Sequence, residues 1–430
     1  MNAPPIEKPG GFVDHFALWA ALGAGLFAMP AGALLVPALS IERAILATVI
    51  AAALGSLLVA SVVALAARSG RNTLDLLAAP FGDAARPAIA AALLGRHLLF
   101  VAFALILITD SATLIGQRSI GADLRVLWAA LFACLAAALL LFVRRSWLTW
   151  RVWAVLGLLV LLGVTASAYA EFEIPGYLRR PAVGGWPSFW QAVDLMIVFP
   201  LLWLPIAADH AKAATDARSA ARGCFAGLLV TSVWLGVIGV LYLPATATGD
   251  VPGFLVGMEL GVGALAILAV LQLDEAVANA QAASLFGDRE LPVPPAILVV
   301  LIAIPAAVLW HIGEIEPYVL LVGAAFVPAF GVVISAAVLK AEPRPGVAAL
   351  SWIGGFLIFQ WITPADVGWW RDLLDQSGGI AGVPFPLTDE VTWLGGSIPA
   401  FLFAFAVFSA AELFALPDFT RRLLPKPGEN

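Results

Sequence analysis

Long apolar stretches alternate with short polar segments along the chain, and these stretches define the predicted elements. Each is long enough to cross a hydrocarbon core of roughly 30 Å as a helix. Alternating strand patterns are absent, and a segment in lipid must pair its own backbone polar groups, so helices are predicted. Twelve spans are predicted, at residues 16–39, 43–67, 88–116, 124–143, 149–170, 188–208, 223–244, 261–286, 294–310, 317–339, 346–363 and 395–416.

Composition supports an all-α polytopic membrane protein in a lipid bilayer. The 430 residues are 62% hydrophobic and only 12% charged, with a mean hydropathy of +0.97. These values exclude every class of soluble protein. No nucleic-acid partner is expected. Cys134 and Cys224 lie within or at the end of apolar segments, which argues against a disulfide framework. The N-terminus lacks the pattern of a cleaved signal, so the first helix is expected to remain in the mature protein.

Charge asymmetry predicts the orientation. Twelve spans place both ends on one side, and with the N-terminus inside, 17 of the 23 lysine and arginine residues, Arg96 among them, fall on the inner side and six on the outer. This follows the positive-inside rule and places both termini in the cytoplasm, with the protein in the cytoplasmic (inner) membrane. The predicted organisation is an N-terminal tail at 1–15, a ten-helix core at 16–340 with repeats 16–170 and 188–340, helices 11 and 12 at 341–416, and a C-terminal tail at 417–430.

Two spans carry helix-breaking residues at matching places. Span 6 reads "IVFPLLWLPIAADHAK" from residue 197, with Pro200 and Pro205 inside an apolar run. A single such case is explained by a simple proline kink. However, span 1, "ALWAALGAGLFAMPAGALLVP", has glycines and a proline at the same depth. Interrupted helices at equivalent positions of two five-helix blocks are typical of inverted-repeat transporters, whose site lies between them near the midplane.

Span 8 carries two acids at mid-membrane depth, Asp274 and Glu275, with Asn279 one turn on. A buried carboxylate there is costly unless it faces water, an ion or a partner, which favours a functional role over interhelical bonding. For Asp110 in span 3, a water-facing helix end and a role in the pathway are both compatible with the sequence. His97 is interpreted as an ordinary interface residue near a span end. Asp209 is expected to pair with loop cations.

Several motifs together resemble the nucleobase:cation symporter-1 family. They are "WLPIAADHAKAATDARSAARG" at 203–223, "DEAVANAQAAS" at 274–284, "TLDLLAAPFGDAARP" at 73–87, "LGAGLFAMPAGALLVPALS" in helix 1 and "FVPAFGVVISAAVLK" in helix 10. The similarity is greatest to the purine/cytosine permease side, which includes hydroxymethylpyrimidine carriers. The resemblance implies a LeuT-type five-plus-five fold with broken helices 1 and 6, and import of a nucleobase or related planar heterocycle with protons or sodium.

The resemblance also implies site residues. The stacking aromatic of helix 3 falls on Phe100, the amide or acid one turn later on Ala104, the helix 6 stacking position at or beside Pro200, and the substrate-binding asparagine on Asn279. The sodium-binding hydroxyl pair of helix 8 falls on Leu273 and Asp274, so cation coupling, by a proton or by sodium near Asp274, is assigned there. The substrate-binding set is Gly25, Phe27, Phe100, Ala104, Phe199, Pro200, Trp203, Glu275 and Asn279.

Other functions remain as alternatives. The same fold would serve a carrier of hydroxymethylpyrimidine, a thiamine precursor, an amino acid or another small solute, and a substrate carboxylate would favour the amino-acid reading. A protein that keeps the fold but serves as a receptor-like or orphan scaffold would explain why Ala104 and Leu273 stand where the family has polar residues. A membrane enzyme is not expected, because the sequence has no HExxH, no GxSxG and no Cys/His ligand cluster. No cofactor is expected, and the heterocycle, the coupling ion and the oligomeric state are left open.

Overall fold

The computed structural model describes residues 11–25, 28–142, 147–171, 181–242, 261–283, 295–381 and 394–415. Within these ranges the secondary structure is helical, and no strand occurs. The helices are α1 Phe12–Gly23, α2 Ala28–Leu34, α3 Ile41–Ser69, α4 Thr73–Phe81, α5 Arg86–Ile120, α6 Arg125–Phe142, α7 Trp147–Glu171, α8 Phe189–Leu201, α9 Leu204–Ala211, α10 Ala217–Tyr242, α11 Gly261–Ala283, α12 Pro295–Leu309, α13 Ile312–Leu339, α14 Pro345–Ile362, α15 Gly368–Ala381 and α16 Ser397–Ala415.

Every predicted span coincides with a helix or a helix pair, which confirms the all-α polytopic fold. Among the described residues, nine spans are long and apolar enough to cross a membrane, and the bent pair α1 and α2 is a tenth. The 15-residue α12 is a shorter apolar helix. Together with α11, it completes the twelve predicted positions.

The structure adds helices that the apolar pattern did not predict. α1 begins at Phe12, so residues 12–15 of the predicted tail are helical. α4 is too short to span a membrane, and it is capped at its N-terminus by Asn72, whose side chain accepts a 2.7 Å hydrogen bond from the Asp75 backbone N–H. α15 lies between spans 11 and 12, where Trp370 Nε1 donates to Gln360 Oε1 at 2.9 Å. Such short or mixed-polarity helices fall below the span signal.

Two groups of helices are centred on different apolar cores. α1, α2, α3, α8, α9 and α10 supply most of the larger core, to which α4, α5, α7, α11 and α13 also contribute, and we call these six the bundle helices. α5, α6, α11 and α12 share the second core, and we call them the scaffold helices. α3 packs along both α8 and α10, and α5 packs along both α11 and α12. These groups correspond to predicted helices 1, 2, 6 and 7 and helices 3, 4, 8 and 9.

Glycines allow α10 to approach α1 at backbone contact. A Cβ on Gly227 would lie 2.7 Å from the Phe16 carbonyl oxygen and 2.8 Å from the Ala20 nitrogen. One turn earlier, a Cβ on Gly223 would lie 2.7 Å from the Phe12 carbonyl oxygen. Small residues at such an interface gain van der Waals contact, which is the main attraction between helices in lipid. This packing fixes the first interrupted helix against the bundle.

Candidate functional site

The interruption of predicted helix 6 lies between α8 and α9, at Leu202 and Trp203. Pro205 is in the first turn of α9, and proline has no N–H to continue the helical ladder. The Ile206 N–H bonds the Trp203 carbonyl at 3.2 Å instead of the Leu202 carbonyl four residues back. The Leu202 carbonyl is therefore released from helical pairing. α8 and α9 still continue as one span, so the break is local.

The interruption of predicted helix 1 is larger. α1 and α2 are bent by 61° relative to one another, and α1 is followed directly by Ala24 and Gly25. A Cβ on Gly25 would lie 3.3 Å from Gln272 Oε1 and 3.6 Å from Glu275 Oε2. The first interrupted helix therefore faces the polar part of α11.

A small cavity lies where the two interruptions meet the scaffold helices. It has a volume of about 30 Å³, which is room for about two water molecules. A planar ring would fit only if the surrounding helices moved apart. The lining residues are Leu22, Gly23, Gly25, Ala28, Arg96, Phe100, Phe199, Leu202, Trp203, Ser232 and Glu275.

Arg96 of α5 is the central polar residue of this cavity, with only 2% of its surface exposed. Its Nη2 donates a 2.6 Å hydrogen bond to the released carbonyl of Leu202. Its Nη1 donates to Asn279 Oδ1 and lies 3.3 Å from His97 Nδ1. The guanidinium carbon lies 4.0 Å from the centre of the Phe100 ring, within the range of a cation–π interaction.

Glu275 of α11 lines the same cavity and is 6% exposed. Its Oε2 accepts a 2.7 Å hydrogen bond from Gln272 Nε2. It attracts Arg96 electrostatically. The ion pairs found among the described residues do not include one between Glu275 and Arg96. A buried cation and a buried acid thus face one cavity from different scaffold helices.

The predicted substrate residues divide between the cavity wall and its surroundings. Gly25, Phe100, Phe199, Trp203 and Glu275 line the cavity. Asn279 is fully buried behind it, where it accepts from Arg96 and donates to the Glu275 carbonyl at 3.0 Å.

Four further predicted residues lie elsewhere, and one is not described. Ala104 and Leu273 are buried in the apolar core of the scaffold helices. Pro200 packs against Gly55 of α3. Asp274 is partly buried beside Glu275 but does not line the cavity. Phe27 lies outside the described residues.

Arg96 is the main residue that the sequence interpretation missed. It was assigned to the charge count of the inner side, yet it is buried at the centre of the site. The signal was present, because Arg96 lies inside the predicted span 88–116. Burying an arginine within a membrane span costs free energy, so such a residue indicates a function by default. Leu202 and Ser232 also line the cavity, and neither residue type signals a site by itself.

Other singled-out polar residues have structural partners. Asp110 pairs with Arg125 and lies 3.2 Å from His311 Nδ1, and it is not among the residues that line the cavity. Asp209 accepts from Thr73 Oγ1 at 2.8 Å and from Thr73 N at 3.3 Å, which ties α9 to the start of α4. The start of α4 therefore supplies two donors that the sequence did not indicate, and Lys212, one of the expected loop cations, also attracts the Asp209 carboxylate. His97 is buried beside Arg96 rather than at an interface near a span end.

The described residues contain no group of three or more His, Cys, Asp or Glu side chains that would hold a metal ion. Cys134 and Cys224 are both free thiols. The polar groups at the cavity are the Arg96 guanidinium, the Glu275 carboxyl group, the Ser232 hydroxyl and the released Leu202 carbonyl, with the amides of Gln272 and Asn279 behind them. Such groups bind small organic molecules through hydrogen bonds.

No protein-family model matches the sequence, and no curated protein matches it. Several solved structures match over nearly the whole chain, among them the following two. The nucleobase-cation-symport-1 family transporter Mhp1, in a closed conformation with bromovinylhydantoin bound, has 16% identity and a TM-score of 0.66, with 98% of each chain covered. A Na⁺-coupled sialic acid symporter, in a substrate-bound outward-open state, has 15% identity and a TM-score of 0.56, with 95% of this chain and 92% of that chain covered.

Both of these proteins are described as symporters. The likeness extends over both predicted repeats and the two additional spans. The chain is therefore a multi-pass membrane protein with the LeuT fold that these two symporters share.

Proposed function

We propose that this chain is a secondary active transporter that imports a nucleobase or a related planar heterocycle. The observation that carries the proposal is the cavity between the two interrupted helices, lined by aromatic side chains and by a buried cation and acid. Ligand sites in transporters with inverted repeats lie at this position. The fold likeness to a transporter with bromovinylhydantoin bound supports a heterocycle as the ligand class.

Transport would proceed by alternating access, as the bundle helices rock against the scaffold helices. The cavity lies between these groups, with Phe199 and Trp203 on the bundle side and Phe100 on the scaffold side. In the present conformation the cavity is too small for a ring, which is expected of a closed state. Opening on either side would separate the aromatic side chains and admit the ligand.

Coupling to a proton or to sodium is assigned to span 8. Asp274 replaces a hydroxyl of the family's sodium site and Leu273 has no side-chain oxygen, so a proton carried by Asp274 is the preferred version. We further propose the cytoplasmic (inner) membrane as the location, with both termini in the cytoplasm. The excess of lysine and arginine in the predicted inner loops supports this orientation.

A second candidate is a carrier of another small solute, such as a hydroxymethylpyrimidine, a thiamine precursor or an amino acid. Arg96 favours the amino acid among these, because a guanidinium matches the geometry of a carboxylate. A zwitterionic solute would present a carboxylate to Arg96 and an amine to Glu275. Both candidates use the same cavity and the same alternating-access cycle.

The experiment that tests the proposal combines ligand binding with uptake. Purified protein is screened by thermal shift against purines, pyrimidines, hydantoins, thiamine precursors and amino acids, because a ligand of the folded state raises apparent stability. Compounds that bind are then measured for gradient-driven uptake into proteoliposomes. Heterocycle uptake above empty liposomes supports the proposal, uptake of amino acids alone supports the second candidate, and no uptake of any compound contradicts both.

A further inference from the structure

We propose that Arg96 is the residue that recognises the ligand, by donating its Nε–H to an oxygen on the edge of the heterocycle. Phe100 and Asn279 are then positioning residues that hold the guanidinium, rather than the direct ligand contacts that the sequence indicates. The inference rests on the proposed function, since it assigns the specificity of the same cavity. The ligand class is a planar ring with an oxo or carboxylate oxygen.

The hydrogen bonds of the guanidinium define which edge is available. Nη1 donates to Asn279 and faces His97, and one of the two N–H groups of Nη2 donates to the Leu202 carbonyl. Nε is buried and has no hydrogen-bond partner among the described residues. A buried donor without an acceptor is unfavourable and rare in folded proteins. Because Arg96 lines the cavity, a ligand oxygen is the acceptor that would complete its bonds.

The position of Phe100 supports the change of roles. The guanidinium of Arg96 lies over the Phe100 ring, 4.0 Å from its centre, so this face of the ring is already covered. A heterocycle that stacks in the cavity would therefore use Phe199 or Trp203, which line the bundle side. Arg96 then meets the edge of the ring rather than its face.

Asn279 also has little capacity left for a ligand. Its Oδ1 accepts from Arg96 and its Nδ2 donates to the Glu275 carbonyl at 3.0 Å. It is fully buried and does not line the cavity. The amide is therefore placed to fix the orientation of Arg96, in the way that outer residues orient the groups that contact a ligand.

The first test compares matched ligands on the parent protein and on Arg96 variants. Hypoxanthine and adenine have the same ring system but carry an oxo and an amino group, respectively, and uracil and orotate differ by a carboxylate. Binding is measured by calorimetry with Arg96→Gln, Arg96→Lys and the control Arg118→Gln, an exposed arginine on the same helix. The parent is expected to prefer hypoxanthine by about 10- to 100-fold, which corresponds to one charged hydrogen bond.

The Arg96→Gln variant is expected to lose this preference, Arg96→Lys to weaken oxo-ligand binding, and Arg118→Gln to match the parent. The uracil and orotate pair distinguishes a carbonyl from a carboxylate as the preferred oxygen. A parent that prefers adenine overturns the inference without any variant having to fold. Equal affinity of the parent and the Arg96→Gln variant for the heterocycles also overturns the inference and leaves the proposed function intact. A parent that binds no heterocycle overturns the proposed function and this inference with it.

The second test is a double-mutant cycle between Arg96→Gln and Asn279→Ala. If Asn279 acts only by positioning Arg96, the double variant binds the oxo ligand no more weakly than Arg96→Gln alone, because nothing remains to be positioned. If Asn279 contacts the ligand itself, the two losses multiply. Multiplying losses would overturn the positioning role.

Discussion

The guanidinium of Arg96 donates a 2.6 Å hydrogen bond to the main-chain carbonyl of Leu202, the residue at which predicted helix 6 is interrupted. The bond joins a scaffold helix to a bundle helix at the cavity. The interruption releases a carbonyl, as its prolines indicate, and the acceptor is used by a buried arginine of the chain itself. Any movement that separates the two groups at this point must break or replace the bond.

Replacing Pro205 by Ala is expected to reduce transport. Alanine restores an N–H at position 205 and allows Ile206 to bond Leu202 in the ordinary helical pattern, which competes with Arg96. We expect uptake to fall several-fold while expression and monodispersity are retained, as measured in proteoliposomes at matched protein content.

The matched control for this change is Pro305→Ala, since Pro305 lies inside α12 and is exposed on the surface of the scaffold helices. It should transport like the parent. Equal uptake by Pro205→Ala and the parent would show that the interruption is not required for transport.

Replacing Gly227 by Ala is expected to destabilise the bundle. The new Cβ would meet backbone atoms of Phe16 and Ala20 at 2.7 and 2.8 Å, so α10 and α1 would have to separate. Overpacking of this kind costs about 1 to 3 kcal/mol. Thermal unfolding in detergent should show a lower midpoint, whereas Gly95→Ala, where a Cβ meets nothing within 4 Å, should not lower it.

Replacing Asp110 by Asn is expected to lower stability without changing ligand affinity. Asp110 pairs with Arg125, and both side chains are largely buried, at 16% and 14% exposure. Removing the Asp110 carboxylate leaves the largely buried Arg125 cation without its counter-charge, which is destabilising. Calorimetry should give an unchanged Kd for any ligand of the parent, and a weakened Kd would place Asp110 in the pathway after all.

The spans were predictable because membrane length and apolar composition leave few alternatives to a helix, and both interruptions carry visible glycines or prolines. The composition of the site was less accessible. Arg96 could have been identified from its place inside a span, but its partners depend on how α5 meets α11 and the interruption between α8 and α9. The release of the Leu202 carbonyl depends on a backbone break, and the burial of Ala104 and Leu273 depends on which face of each helix turns toward the scaffold core. These are tertiary relationships that the one-dimensional pattern does not contain.

The last prediction separates the two neighbouring acids of α11. Glu275 lines the cavity and accepts from Gln272, whereas Asp274 does not line it, so the two should differ in their effects. Asp274→Asn is expected to abolish concentrative uptake and to leave substrate exchange, because the neutral amide imitates a protonated acid. Glu275→Gln is expected to weaken ligand binding itself by about 10- to 100-fold, the loss expected for one charged hydrogen bond. Uptake into proteoliposomes is measured under a pH gradient and, separately, under a sodium gradient, and exchange is measured with neither. Uptake driven by sodium alone would contradict the proton version and leave Asp274 as a sodium ligand. Concentrative uptake by Asp274→Asn at the parent's rate would remove Asp274 from coupling altogether.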